Sequence, residues 1–465
     1  MSKKPMYLKR RAGPKVAALA AIVLVAIVAW HFMPKQSKEL TWPVSEELQN
    51  RSFQGKPEEI TAPKSGIKAY YMKQDGGLTA MSFIFKQAGS AYEDKEVLGI
   101  ANIAAQTLKE GAGWWSAKEL RNLMGSSGIK ISFEVSKDDF SGKITFPNEV
   151  KENALKYLRE MLLNPHFEDK YVEAAKAQAI RVIESQKEDP YAELSLAFNE
   201  KLFAGFAYGN SELGTTETVA KINRRHLLDF VKDNLGKNNL YIGIVGNLSK
   251  DDAGDMVDEV FNKLGILEGR DIGKPQVDWK KSSLNIQRET SQNIMLYAAK
   301  GTCRKCDDFY PLYIANYILG GAGLNSRMNR ILREKENLTY GISSWMDVND
   351  KADLLYAAFS ATPDRIAKAK ELFLQLWIEA GEKGFTEEEL KQAKDYLIAS
   401  HNLRFASTIG IAEMLGYMQK YDLGIDFLTK RNGLVRAVNL QQLNQAAKKY
   451  FNDNLAIAEI GKKNK

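Results

Sequence analysis

The chain has 465 residues and contains an internal repeat, which limits the folds that it can adopt. Residues 167–180 (FEDKYVEAAKAQAI) are echoed by residues 385–398 (FTEEELKQAKDYLI), at an offset of 218. A second related pair, residues 222–235 and 438–455, follows in the same order at offsets of 216 to 220. Two matches in one order at one offset predict the duplication of a unit of about 200 residues.

Both segments of the first pair have the apolar spacing of a helix, and Thr386 with Glu389 predicts a capping box. Apolar runs that alternate with polar residues predict strands in each unit. They are residues 80–85, 129–135, 142–146 and 240–245 in the first unit, and 293–298, 340–345 and 354–359 in the second. Alternation favours antiparallel pairing, with the long helices packed on one face. The sequence therefore predicts an α+β fold of two tandem homologous domains, each an antiparallel sheet packed against helices.

The composition of the intervening segments predicts the domain boundaries. Residues 34–63 are polar with scattered prolines and are typical of a tether. Residues 267–280 begin with a segment rich in Gly and Pro, which predicts a linker between the two units. The first domain is then expected over residues 64–266 and the second over residues 281–465.

The N-terminal 33 residues predict a membrane anchor. Lys and Arg number 65 against 58 Asp and Glu, but six of the cations lie in residues 1–15, which contain no acid. Because the rest of the chain is nearly neutral, it lacks the basic excess of a nucleic-acid-binding protein. Residues 16–33 are almost entirely apolar and long enough, at about 27 Å as a helix, to cross a bilayer. The preceding cations place residues 1–15 in the cytoplasm.

A cleaved signal peptide is the alternative interpretation of this segment. Ala29 could precede a cleavage site, but Ile27 is larger than the residue preferred two positions earlier. Bulky residues also follow at once, beginning with Trp30. The sequence therefore favours a single-pass anchor that is retained.

Several motifs together resemble one known family. They are GSAYED at residues 89–94, LGIANIAAQ at 98–106, GTTETV at 214–219, LGGAGLNSRM at 319–328 and REKENLTY at 333–340. In this combination the chain resembles the insulinase/pitrilysin-type zinc peptidases, and within them the bacterial branch similar to mitochondrial processing peptidase. The resemblance covers nearly all of residues 64–463. It implies a bacterial inner-membrane protein with most of the chain on the periplasmic side.

The chain departs from this family at the zinc site. Active members carry His-x-x-Glu-His on the helix that here begins near Leu98, so that two imidazoles face one metal and the Glu serves as general base. In this sequence the corresponding residues are Asn102, Ala105 and Gln106. The third ligand of the family, a Glu, would fall at about Ile183, with Glu184 beside it. The resemblance thus implies a non-catalytic chain without a metal of its own.

The histidines of the chain agree with this interpretation. There are four of them, and no two lie within one helical turn of each other in sequence: His31, His166, His226 and His401. A zinc site would need a pair brought together by folding alone. We expect each to have a structural or solvent-facing role.

A second signature of the family is intact. The resemblance implies that non-catalytic chains carry an Arg and a Tyr, seven positions apart, which reach into a chamber shared with the catalytic chain. Here these residues are Arg333 and Tyr340. An Arg offers a planar fork of donors to a carbonyl or carboxylate, and a Tyr hydroxyl can donate to a developing oxyanion. The alternative is that Arg333 pairs with Glu334 or Glu336 and that Tyr340 is core.

Two further features leave alternatives open. Cys303 and Cys306 form an isolated Cys-x-x-Cys in a predicted strand-to-helix loop, either bridged or as two idle thiols, since no further zinc ligands or redox context accompany them. Trp114 and Trp115 form a pair in a predicted turn. They are expected to be either a binding surface or a packed corner.

The predicted function is that of a non-catalytic subunit of a heterodimeric zinc peptidase. Arg333 and Tyr340 would bind and position the peptide, while a homologous partner bearing His-x-x-Glu-His supplies zinc and the general base. The alternative is a membrane-anchored scaffold or peptide-binding protein of the same fold without a proteolytic role, as the core subunits of respiratory complexes resemble this family.

Overall fold

The computed structural model of the protein describes residues 55–401 and 405–463. The predicted basic segment 1–15, the predicted anchor 16–33 and most of the predicted tether lie outside these residues. Among the helices of the described ranges, none combines the length and apolar character needed to cross a membrane. The first strand, Glu58–Thr61, falls within the predicted tether, yet it pairs with the next strand and so belongs to a sheet.

The described residues form two sheets. The first has the strand order β1-β2-β6-β3-β5-β4 and the second has the order β7-β11-β8-β10-β9. The strands are β1 Glu58–Thr61, β2 Lys68–Lys73, β3 Leu78–Lys86, β4 Lys130–Val135, β5 Asp139–Pro147, β6 Leu240–Gly246, β7 Leu284–Gln287, β8 Asn293–Lys300, β9 Ile342–Val348, β10 Asp353–Ala361 and β11 Leu455–Gly461. The predicted α+β class with two sheets packed on helices is therefore confirmed.

Helices fill the segments between the strands. They are α1 Ile100–Thr107, α2 Ala117–Ser126, α3 Lys151–Leu163, α4 Asp169–Glu188, α5 Pro190–Leu202, α6 Thr216–Lys221, α7 Arg224–Asn234, α8 Lys250–Phe261, α9 Phe309–Asn316, α10 Ile366–Lys383, α11 Glu387–His401, α12 Thr408–Lys420, α13 Phe427–Ala437 and α14 Leu440–Tyr450. Two π-helical segments, Tyr317–Gly321 and Asn329–Lys335, lie between α9 and β9.

The duplication is visible in the sheet topology. Strands β2-β6-β3-β5-β4 repeat as β7-β11-β8-β10-β9, and in each half the first of these strands is parallel to its neighbour while the other pairs are antiparallel. The helix signals repeat as well. Asn223 caps α7 and Asn439 caps α14 through their side-chain oxygens. The predicted capping box of Thr386 and Glu389 is formed at the start of α11.

One face of each sheet packs on helices of its own half. In the first half, Phe83 and Phe85 meet Phe261 of α8 edge to face at 5.3 and 6.3 Å between ring centroids. In the second half, Tyr297 lies 4.0 Å from Phe373 of α10, centroid to centroid. These clusters are continuous and almost fully buried. Each half thus has its own hydrophobic core, as expected for a duplicated unit.

The other face of each sheet is covered by a helix of the opposite half. The apolar residues of α12, such as Leu415, pack on Tyr70 and Val245 of the first sheet. Reciprocally, Phe198 of α5 packs on Leu296 of the second sheet. Because these apolar faces are buried only when the halves associate, the exchange of helices joins the two halves into one body.

Buried charges also connect the halves, at two hairpin turns. The Asp138 carboxylate accepts the backbone N–H of Asp350 at 2.9 Å and the hydroxyl proton of Tyr208. Lys420, at the end of α12, forms ion pairs with the neighbouring Asp139 and with Asp350. The turn between β4 and β5 is thereby fastened to the equivalent turn between β9 and β10.

Candidate functional site

Helix α1 carries Asn102, Ala105 and Gln106, the residues that the resemblance places at the zinc motif. The helix starts after Gly99, whose φ of 93° is in the left-handed region that favours glycine. The two carboxylate oxygens of Glu93 accept the backbone N–H groups of Gly99 and Ala101, at 2.7 and 2.9 Å. Burial raises the pKa of Glu93 to about 8, although these hydrogen bonds oppose the rise. The start of α1 is therefore fixed by Glu93, a partly buried acid of the GSAYED motif whose role was not predicted.

Two of these three side chains, Asn102 and Gln106, are hydrogen-bonded to each other. Asn102 and Gln106 lie one turn apart on the same face, and the Gln106 amide donates to the Asn102 oxygen at 2.8 Å. Ala105, at the position of the general base, is buried and apolar. Amide groups bind zinc poorly, and a methyl group cannot accept a proton from water. These residues do not fit a zinc ion.

The third corner of the site is also apolar. Ile183 is buried in the first core on α4, a helix that packs beside α1, while Glu184 is exposed. Within residues 55–401 and 405–463, no group of three or more His, Cys, Asp or Glu is arranged to hold a metal. Neither Ile183 nor the three residues of α1 therefore offers a group that would activate a water molecule in the manner of the active family members.

The second half presents Arg333 and Tyr340 on a segment of unusual geometry. Arg333 lies in the π-helix Asn329–Lys335 and is half-buried. Tyr340 lies two residues before β9, and 60% of its surface is exposed. The hypothesis that Tyr340 belongs to the core is therefore wrong. Isolated π-helical turns are frequent at functional sites.

Asn329 fixes the relative position of these two residues. Its buried side chain accepts the backbone N–H of Ile342 at 3.1 Å and donates to the carbonyl of the same residue. The start of the π-helix is thus fastened to the start of β9. Arg333 follows Asn329 by about one helical turn, and Tyr340 precedes Ile342 by two residues, so this one side chain holds both in register. Asn329 was not predicted from the sequence. A signal was present, because Asn is disfavoured in helix interiors and its occurrence within a helical pattern suggests a special role.

The loop between the π-helix and β9 is held from outside as well. Glu336 pairs with Lys368 of α10 at 2.8 Å, and the hydrogen bond from this Lys lowers the pKa of Glu336. The Arg365 guanidinium donates to the carbonyl of Asn337 at 2.7 Å. These contacts place Tyr340 on a short, tethered loop rather than on a free one.

The edge of β9 next to Tyr340 is closed to strand pairing. Asn329 satisfies both backbone groups of Ile342, and the Asn316 amide donates to the carbonyl of Ser344 at 3.3 Å. Edge strands are commonly protected in such ways against pairing with another chain. A peptide beside Arg333 and Tyr340 would therefore be held by side chains, not by addition of a strand at this point.

The remaining sequence-predicted residues lie apart from this site. Trp114 is 89% exposed on a turn, whereas Trp115 packs edge to face on Tyr157 at 4.9 Å. His166 contacts the carbonyl of Gly113 at 2.8 Å through Nε2, and so stabilises the same turn. Of the pair, one Trp is thus a surface residue and the other a packed corner. Cys303 and Cys306 are bridged by a disulfide.

A cavity of about 490 Å³ opens at the start of α1. It is lined by acidic and aromatic residues of the GSAYED segment and of α7, with Arg270 from the segment between the sheets. Arg270 donates to the carbonyl of Tyr92 and to the side chain of Asn234, at 3.1 and 3.2 Å. The lining contains neither the Asn102–Gln106 pair nor Arg333 and Tyr340, so this cavity is separate from the predicted site.

Two models of one protein family match this chain, in successive segments. The family model described as insulinase (peptidase family M16) matches residues 73–216, and the model described as the peptidase M16 inactive domain matches residues 221–397. Together the two matches cover more than half of the chain.

Individual proteins are similar over most of their length. A protein of Helicobacter pylori (strain ATCC 700392 / 26695) named non-peptidase homolog YmxG is 26% identical, over 84% of this chain and 91% of its own. The beta subunit of the mitochondrial-processing peptidase of Caenorhabditis elegans is 21% identical, over 89% of this chain and 93% of its own. The crystal structure of a peptidase M16 inactive domain from Pseudomonas fluorescens superposes with a TM-score of 0.82 at 23% identity, covering 88% of this chain and 98% of that one.

Proposed function

The chain belongs to the insulinase (M16) family of peptidases, as an inactive member of it, and from this premise we propose that it is the non-catalytic subunit of a two-chain zinc peptidase. In this proposal a homologous partner carries His-x-x-Glu-His and the metal. This chain binds and positions the peptide. The name of one relative, a subunit of a processing peptidase, supports an assembly of this kind.

One observation carries the proposal. The second half holds a half-buried Arg333 and an exposed Tyr340 on a segment that the buried Asn329 fixes in place, whereas the first half has lost its ligands. A large aromatic side chain held in solvent on a tethered loop has no packing role. It is suited to meeting a second molecule.

The chemistry of the two side chains fits a peptide substrate. The guanidinium of Arg333 stays charged at any working pH and would donate to a peptide carbonyl or a carboxylate. The Tyr340 hydroxyl would donate to the oxygen of the scissile carbonyl, where negative charge develops on attack by water. The zinc and base that generate the attacking hydroxide would come from the partner chain.

A scaffold without a proteolytic role is the second candidate. It is favoured by the name of the Helicobacter pylori relative, a non-peptidase homolog. A scaffold would need the fold and an interface but no peptide contact. The two candidates therefore differ in whether substitution of Arg333 or Tyr340 changes peptide turnover.

We propose further that residues 16–33 anchor the chain in the bacterial inner membrane with the folded part in the periplasm. The apolar run, the cations of residues 1–15 and the polar residues that follow support this topology. Extraction of membranes with alkaline carbonate should leave the chain in the pellet, and N-terminal sequencing should find residues 1–15 present. A mature chain that starts near Trp30 would show a cleaved signal peptide instead.

The division of labour between two chains can be tested with purified protein. The chain alone should contain no stoichiometric zinc and should cleave no unfolded peptide. Addition of a homologous chain that carries His-x-x-Glu-His should produce cleavage that exceeds that of the partner alone. One tight zinc per chain in this protein by itself, or no effect on the partner, would contradict the proposal.

A further inference from the structure

The loop between β8 and α9 carries the disulfide Cys303–Cys306, which the proposed function does not use. The bridge encloses only Arg304 and Lys305, and Cys306 is exposed. The backbone already turns here through hydrogen bonds from Cys306 to Cys303 and from Phe309 to Cys306, at 3.1 and 3.0 Å. A ring this small adds little to global stability, because the constraint that a disulfide places on the unfolded chain grows with the enclosed loop. Its effect is therefore local.

Both enclosed residues contact the segment that contains α12 and the start of α13. The Arg304 guanidinium lies 4.2 Å from the ring centroid of Phe309 and 5.2 Å from that of Phe427, and its Nε donates to the Tyr417 hydroxyl at 2.9 Å. Lys305 pairs with Asp422 at 2.6 Å. The disulfide thus shapes the four-residue loop whose two central side chains bind residues 417–427.

This segment contains α12, one of the two helices that cross between the halves. Helix α12 covers the outer face of the first sheet, and at Gly243 the two backbones approach so closely that a Cβ would lie 2.0 Å from the carbonyl oxygen of Ala412. Loosening the contacts of Tyr417 and Phe427 would therefore free the C-terminal end of the helix that joins the halves. The loop acts on the connection between the halves although it is remote from Arg333 in sequence.

We propose that Cys303–Cys306 is a site of reversible thiol–disulfide exchange, and that its reduction loosens residues 408–428 on the first sheet. A thiolate of a dithiol reductant attacks the exposed sulfur of Cys306 and forms a mixed disulfide while the Cys303 thiolate leaves. The second thiol of the reductant then displaces Cys306. The reductant ends as a disulfide, and its two protons pass to the two cysteines. Without the bridge, the loop no longer holds Arg304 among the aromatic rings.

The experiment compares the oxidised and reduced forms of the full chain by hydrogen exchange. Dithiothreitol, or glutathione buffers of increasing reducing strength, should convert the folded protein to a form whose two cysteine thiols are then alkylated by added iodoacetamide. Amides of residues 408–428 should then exchange about tenfold faster, as expected for the loss of a few local contacts. Residues 151–163 of α3 serve as the internal reference and should not change.

Two variants separate the disulfide from the contacts that it supports. Arg304→Ala, with the bridge intact, should show the fast exchange already in the oxidised form, and reduction should add nothing. In the double variant Cys303→Ser/Cys306→Ser, residues 408–428 should exchange as fast as in the reduced wild-type protein, in either buffer. The proposal is overturned if the bridge is reduced only after the protein is unfolded, or if full reduction leaves exchange of residues 408–428 unchanged. The measurement involves no peptide or partner, so its outcome is independent of the proposed function.

Discussion

The helix that follows the central strand differs between the two halves, although the sheets share one topology. In the first half, α1 has an Asn102–Gln106 pair whose side chains satisfy each other, beside a buried Ala105. In the second half, α9 runs on into a π-helical segment, a second π-helix carries the half-buried Arg333, and the exposed Tyr340 follows it. The two halves therefore share one scaffold and differ in the side chains that follow the equivalent strands β3 and β8. The predictions below test this contrast between the halves.

The closest approach between a sheet and its crossing helix gives the largest expected effect. Gly243 of β6 abuts the backbone of α12, whereas the equivalent residue of β11 is Ala458, which faces α5. Gly243→Ala should lower the free energy of unfolding by about 3 kcal/mol, because the new methyl group overlaps backbone atoms that cannot move aside. Urea unfolding followed by circular dichroism measures this. Gly433 lies at an exposed helical position with open space around it. Gly433→Ala should raise the free energy of unfolding, by at most about 1 kcal/mol.

The second largest effect on the free energy of unfolding is expected at the contact between the two hairpin turns. Tyr208→Phe removes a hydroxyl that donates to Asp138 and accepts the N–H of Lys351 at 3.0 Å. Since both groups lose a partner, the free energy of unfolding should fall by about 2 kcal/mol. The exposed Tyr191 provides the control, and Tyr191→Phe should have no measurable effect. Equal effects of the two substitutions would show that the turns contribute nothing to the association of the halves.

The acids that precede the two equivalent helices should respond to pH in opposite ways. Burial raises the pKa of Glu93, before α1, to about 8. Burial by itself would raise the pKa of Asp308, which precedes α9. Hydrogen bonds from Lys449, Thr302 and Tyr450 outweigh burial, so the pKa of Asp308 is lowered. Glu93 binds its proton more tightly in the folded chain than in the unfolded chain. Its stabilising contribution to the free energy of unfolding is therefore full below pH 4.5 and is lost as the pH rises through about 8.

A pH series of urea unfolding tests this pair. Between pH 5 and 8, Glu93 should reduce the free energy of unfolding by up to about 1.4 kcal/mol per pH unit. Glu93→Gln should remove this part of the slope, whereas the exposed Glu184→Gln should leave the slope as it is. Asp308 acts only at acid pH, where stability falls as the pH drops below its unfolded value of 3.8. An unchanged slope in Glu93→Gln would mean that Glu93 stays ionised in the folded protein.

The smallest of these effects concerns the Tyr340 hydroxyl. Tyr340→Phe keeps the ring and removes one donor, so peptide turnover by the reconstituted pair, as kcat/KM, should fall about three- to tenfold. Tyr396 is also exposed, in the same half, and is stacked on Tyr317 at 5.2 Å between centroids. Tyr396→Phe should leave turnover unchanged. A similar loss in both variants would indicate a general disturbance of the second half.

Much of the scaffold could be predicted from the sequence, and particular elements show why. Apolar runs identified β3, β5 and β10, and the N-caps Asn223 and Asn439 agree with the repeat. Strand β2 was missed because its apolar run is only four residues long, between two lysines. The predicted strand at 340–345 is instead Ile342–Val348, because Asn329 fastens the chain at Ile342 and leaves Tyr340 outside the sheet.

What the sequence could not indicate depends on tertiary contacts. Periodicity shows that α5 and α12 have apolar faces, but not that each covers the sheet of the opposite half. The domain boundaries at 64–266, 267–280 and 281–465 stay a prediction. Residues 265–278 contain no helix or strand, and the exchanged helices make each half incomplete without the other.

The central claim is that this chain contributes Arg333 to peptide cleavage by a metal-bearing partner. The direct measurement is kcat/KM for an unfolded peptide, with the partner mixed with the wild-type chain, with Arg333→Ala or with Arg330→Ala, an exposed Arg on the same π-helix. Arg333→Ala should lower kcat/KM about 10- to 100-fold, as for the loss of a hydrogen bond to a charged group, with complex formation intact, and Arg330→Ala should leave kcat/KM unchanged. Undiminished cleavage by an intact complex containing Arg333→Ala would contradict it.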